Sequence, residues 1–236
     1  MDSDYQYCPH CGQKDTSKIA SVKGLIMDFL GDYFTFDSKI FKSLIPLVVN
    51  PGHLTNEYIA GKRISYIPPL RLYLFISIFF FILFAQLNPR SSVEVAGDNI
   101  SQDLFDFFID QHMHKVLFIL LPVFGGILYL MFRKTYGNYF IHFIFSLHYH
   151  AFLFIVLGVY LLITSILTSG MYQVNQWLFV AFQLLFVLYL YSAIKKVYKK
   201  SLLSTLIRSV VISFLYGVSF LAISIASFAL YYFWKT

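Results

Sequence analysis

The sequence predicts an all-α, polytopic integral membrane protein of about five transmembrane helices, preceded by N-terminal cytoplasmic interfacial helices. Three observations carry this expectation. Hydrophobic residues make up 58% of the 236 and charged residues only 13%, which excludes an ordinary soluble domain. Five apolar stretches approach or exceed the roughly 20 residues a helix needs to cross a bilayer. The basic residues, finally, gather at alternate ends of those stretches.

From the N-terminus, residues 1–24 form a short polar head. They lack the apolar central region of a secretory signal, so no such signal is expected before the spans. Residues 25–68 read as helices on the inner face rather than a separate globular domain. In Leu25–Phe36, Leu25, Ile26, Phe29, Leu30 and Tyr33 recur at helical spacing, with Asp28 and Asp32 on the other side. The apolar piece Ile40–Val49 is too short to span and contains Pro46, which places it at the interface or dipping into it. Asn50 is suited to cap a helix of about ten residues with Pro51 at its first position, and Gly61 suits the left-handed residue that ends it. Lys62 and Arg63 then complement the helix dipole and could reach lipid phosphates, and Pro68-Pro69 stiffens the start of the first span.

Residues 69–236 form the expected bundle, with spans at about 69–87, 116–132, 142–168, 177–194 and 208–234. The second is the shortest and holds Pro122 and Gly125-Gly126, so a kinked or partly re-entrant segment is one reading there. Between the first two spans, Leu104, Phe105, Phe107, Phe108 and Ile109 suggest a short helix resting on the membrane, its acidic neighbours exposed. With the N-terminus inside, the first cytoplasmic segment holds Lys14, Lys18, Lys23, Lys39, Lys42, Lys62, Arg63 and Arg71. The second holds Arg133 and Lys134, and the third Lys195, Lys196, Lys199, Lys200 and Arg208. Only Arg90, Lys115 and Lys235 remain outside, which favours an N-in, C-out topology. The net charge of +6 is therefore a topology signal, and no nucleic-acid partner is expected. The lysines at 195–200 also have the chemistry to hold anionic headgroups.

Cys8-Pro9-His10-Cys11-Gly12 is half of a zinc knuckle: two thiolates at this spacing can share one tetrahedral metal. No third cysteine exists in the chain. A zinc at Cys8 and Cys11 would need His10 or a distant histidine, or a second chain, to complete its shell; the alternative is a degenerate site. Five of the seven histidines follow the first span, and His142, His148 and His150 fall in the third, where ionisable groups are costly and often functional. At about 100° per residue His148 and His150 point roughly 200° apart, so they cannot chelate one metal from a regular helix. The structural reading puts His142 at headgroup level and has His148 or His150 hydrogen-bonded inside the bundle. His53 and Glu57, one turn apart, form either a surface hydrogen bond or a carboxylate–imidazole unit. Nucleophile-elbow, phosphate-loop and His-Glu-x-x-His patterns do not occur.

Several motifs together resemble the bacterial membrane-protein family called domain of unknown function 3667. They are Cys-Pro-x-Cys-Gly-Gln (Cys8 to Gln13), Phe36-Asp37, Pro-Gly-His (Pro51 to His53), Glu-Tyr-Ile-x-Gly-Lys-Arg (Glu57 to Arg63), a proline before the first span, and Phe-Ser-Leu-His-x-His (Phe145 to His150). The similarity extends from about residue 8 to 155, and Pro51–Arg63 is its specific part. Members often carry two Cys-x-x-Cys pairs that make a four-thiolate ribbon, and the pair here resembles the second. The resemblance implies no established activity. It points to the juxtamembrane helix and the His-x-His segment.

The functional expectation is a multi-span protein of the bacterial inner (cytoplasmic) membrane, non-enzymatic, acting in assembly or membrane organisation. Membrane lipids, a second copy or another membrane protein are its expected partners. The alternatives are a small-solute or ion transporter using intramembrane His and Glu residues, and a membrane enzyme acting on lipid. The residues singled out are His53, Glu57, Lys62, Arg63, Arg71, His142, His148 and His150, with Cys8, His10 and Cys11 as the metal candidates.

Overall fold

A computed structural model describes residues 36–87, 100–167 and 172–235. Among these residues there are seven helices and no strand. Two short ones, α1 (Phe36–Val49) and α2 (His53–Ile59), precede five long ones: α3 (Pro69–Leu87), α4 (Ile100–Phe132), α5 (Tyr139–Ile166), α6 (Tyr172–Tyr198) and α7 (Leu202–Lys235). Each long helix contains a stretch long and apolar enough to cross a membrane. The expected spans fall within or against these helices, mostly shorter than the helices themselves. The first matches α3 residue for residue, whereas the last three helices begin three to six residues before the expected starts.

The largest difference lies in α4. The expected surface helix and the second span form one continuous 33-residue helix, and Pro122 does not break it. Two neighbouring carbonyls are secured by side chains from the next helix. Ser146 Oγ donates to the Leu121 carbonyl at 2.7 Å and Tyr139 Oη to that of Pro122 at 2.9 Å. Gly125 permits this approach: a Cβ there would lie 3.3 Å from both Phe143 Cα and Tyr139 Oη.

The antiparallel alternation brings the start of α3, the α4–α5 and α6–α7 connections, and α1 and α2 to one end of the bundle. We call this end the collar. α5 is central, packing on α1, α2, α3, α4 and α6, and its residues from His142 to Gly158 supply much of the buried core. α7 leans on α4 and α6 and leaves most of its surface apolar and open, as a lipid-facing helix does. α1 buries Ser43 and Leu47 and turns Phe41, Ile45, Val48 and Val49 outward.

Candidate functional site: the polar anchors of the collar

The collar begins with a turn that only glycine fits. Gly52 has φ +75°, and a Cβ on it would meet the Ala193 carbonyl oxygen and Val197 Cγ2, each at 2.9 Å. Its conformation and its contact with α6 both require the missing side chain. The Gly52 carbonyl accepts from Asn56 N–H, opening α2 without a side-chain cap. Asn50 is thus not the helix cap expected from its position. It lies three residues before α2, and its side chain instead takes the Lys196 ammonium. The reason is tertiary: α6 offers the amide a cation. The helix is accordingly seven residues long rather than ten.

The other end of α2 follows expectation. Gly61 has φ +84°, its N–H bonds the Tyr58 carbonyl at 3.0 Å, and Lys62 N–H bonds that of Glu57 at 3.0 Å. This pair of bonds is the Schellman arrangement. It also carries the Lys62 side chain back over Glu57, where Nζ lies 2.9 and 3.1 Å from the two carboxylate oxygens. Lys62 is therefore occupied by Glu57. Arg63 lies over the Tyr58 ring, its Cζ 4.8 Å from the centroid. His53 turns to Tyr66, with Nε2 3.1 Å from the phenol oxygen, so Glu57 and His53 do not form the unit that their spacing suggested. Arg71, third in α3, is half-buried.

Leu54, Thr55 and Tyr58 are the buried face of α2. Thr55 Oγ1 lies 2.9 Å from His148 Nδ1 in a buried hydrogen bond, and Asn56 Nδ2 donates to the Lys196 carbonyl at 3.2 Å. α1 is tied in similarly. Ser43 Oγ accepts from Ile67 N–H at 2.9 Å, and Tyr189 Oη donates to the Leu47 carbonyl, one of the last four of α1 that no intrahelical N–H can reach. Arg208 does the same for α4: Nη1 donates to the Met131 carbonyl at 2.6 Å, with Cζ 5.1 Å from the Phe132 ring centroid.

The three histidines of α5 serve three different contacts. His142 is fully buried: Nε2 donates to the Tyr136 carbonyl at 3.0 Å and Nδ1 accepts from Tyr198 Oη at 2.8 Å. Since a carbonyl can only accept, the neutral Nε2–H tautomer satisfies both bonds. The Tyr198 ring lies within 10° of parallel to both His142 and Phe132. His148 faces α2. His150 faces α7: Nδ1 donates to the Ser146 carbonyl at 2.8 Å and Nε2 accepts from Tyr216 Oη at 3.1 Å. Of these three histidines, His148 is the one bonded to α2, through Thr55. Among the described residues no three His, Cys, Asp or Glu side chains gather as a metal site would require. Cys8, His10 and Cys11 lie outside the described residues.

Sequence reasoning missed Thr55, Tyr198, Tyr216 and Arg208 as the partners of these groups. For Tyr216 and Arg208 a hydroxyl or guanidinium within an apolar run was the available signal, because such a group must find a partner in a water-poor interior, whereas Thr55 and Tyr198 stand among polar and charged neighbours.

The fold and its anchors define a multi-pass, all-helical membrane protein whose juxtamembrane segment is bonded into the bundle. Residues 37–81, which hold α2, most of α1 and the first thirteen residues of α3, match the family model described as protein of unknown function (DUF3667). No match was found among curated proteins or solved structures.

Proposed function

We propose that the chain is a non-enzymatic scaffold of the bacterial cytoplasmic membrane, with its collar and N-terminus inside and its C-terminus outside, acting in assembly or membrane organisation. One observation carries this reading: the intramembrane histidines disperse into separate packed contacts on α2, α7 and the α4–α5 turn. A transport path or catalytic centre needs polar groups converging on a shared space. Glu57, which either activity would recruit, is held by Lys62. The orientation rests on charge. Lys39, Lys42, Lys62, Arg63, Arg71, Arg133, Lys134, Arg208 and the lysines from 195 to 200 lie at the collar end. Such a scaffold presents its collar and the open faces of α6 and α7 to lipid, to another copy or to a membrane partner.

The test is proton and cation flux in proteoliposomes with internal pH- and potential-sensitive dyes. The scaffold reading expects flux equal to that of protein-free vesicles. Flux that His148→Phe or His150→Phe abolishes in a folded protein refutes it. Reporter fusions at each terminus check the orientation.

A further inference from the structure

The end of α6 carries an open hollow of about 560 Å³, lined by Tyr191, Ser192, Lys195, Lys196, Lys199 and Lys200. We infer that it binds the phosphate headgroup of an anionic phospholipid, whose acyl chains lie along the apolar face of α6 below it.

The first argument is charge balance. From residue 111 to the end the chain contains no Asp or Glu, and Glu57, the acidic residue among the described side chains, is taken by Lys62. Four ammonium groups within six residues repel one another. The partial negative charge at the end of a helix, about half a unit, cannot offset four positive ones. Among the described residues no acidic side chain lines the hollow, and a lipid phosphate has the charge its ammonium groups call for.

The second argument is how two of the lysines are held. Lys196 is fixed from the collar side, since Asn50 holds its ammonium and Asn56 its carbonyl. Lys199 has φ +50° and ends the helix in the left-handed conformation, where glycine is usual. A lysine at this position preserves a charge on the rim of the hollow.

The third argument selects a lipid over free phosphate. Leu184, Leu188, Tyr191 and Lys195 follow one another at spacings of four, three and four, and so share one face of α6. Leu184 is 58% and Leu188 62% exposed. Going up this face, an apolar strip leads through a tyrosine to the ammonium groups. This is the order of acyl chain, interface and phosphate in a phospholipid.

The experiment uses the full chain in detergent. Native mass spectrometry counts bound dioleoyl phosphatidylglycerol against dioleoyl phosphatidylcholine for the wild type, Lys195→Gln/Lys199→Gln, and Arg133→Gln/Lys134→Gln. The two doubles remove equal charge from the same end of the bundle. At about fivefold per lysine near an anionic surface, the first should lower phosphatidylglycerol affinity roughly 25-fold. The second should leave it within about twofold, and Lys195→Arg/Lys199→Arg should restore it. All samples are taken from the monodisperse peak of a sizing column, which separates a lost site from a lost fold. Equal losses in the two doubles, or no preference over phosphatidylcholine, overturn the site. Displacement by inorganic phosphate at the lipid's own concentration overturns the lipid assignment.

Discussion

Gly52 and Gly61 give the collar an internal control, because both adopt the left-handed conformation, at φ +75° and +84°, in different surroundings. Alanine at Gly61 meets nothing within 4 Å, so its cost is conformational, about 1–2 kcal/mol. At Gly52 the same penalty applies, and the new methyl also lies 2.9 Å from a backbone carbonyl of α6. That neighbour cannot swing away, and overpacking adds about 1–3 kcal/mol. Gly52→Ala should therefore cost about 2–5 kcal/mol and Gly61→Ala about 1–2 kcal/mol. A third variant fixes the baseline: at Gly126, inside α4 with open space around it, alanine should be neutral or stabilising by up to about 1 kcal/mol. Thermal unfolding in one detergent, followed by loss of the monodisperse peak, ranks the three. Gly52→Ala no more destabilising than Gly61→Ala would refute the docking of α2 against Ala193 and Val197.

Thr55→Val should destabilise by about 1–3 kcal/mol by stranding buried His148. In a double-mutant cycle with His148→Phe the two losses should fall short of additivity by at least about 0.5 kcal/mol, and strict additivity would mean the bond is not made. Tyr198→Phe keeps the ring against Phe132 but removes the hydroxyl from His142. It should cost about 1 kcal/mol in thermal unfolding, and Tyr198→Ala, which empties the site, about 3–5 kcal/mol. Arg208→Gln should lower stability by about 1.5–3 kcal/mol through loss of the charged bond to the Met131 carbonyl, whereas Lys62→Gln, breaking a pair whose lysine is 60% exposed, should stay within about 1 kcal/mol.

The spans were legible because crossing a bilayer imposes a length and a composition that any reading of hydropathy recovers. Gly61 was legible for a related reason: a local backbone rule governs it. The angle between His148 and His150 also follows from helix geometry alone, and the structure sends them to α2 and α7 accordingly. What sequence could not supply was partnership across distance. Asn50 looks like a cap until α6 brings Lys196 beside it from 146 residues away. The surface helix expected near Phe107 fails differently. Its apolar residues suggest a separate short helix resting on the membrane, yet the helix runs without interruption from Ile100 into the apolar part of α4. His142 is a further case of partnership across distance. Here Tyr198 and the Tyr136 carbonyl occupy both of its nitrogens inside the protein.

The bonds of α2 also impose an order of assembly during synthesis. Thr55 waits for a partner 93 residues further on, and Asn56 for one 140 residues further. At about 5–20 residues per second, the ribosome takes roughly 7–28 s to bridge the longer gap. α2 is thus completed only after α6 has been made, and its closure registers that the helices between them are in place.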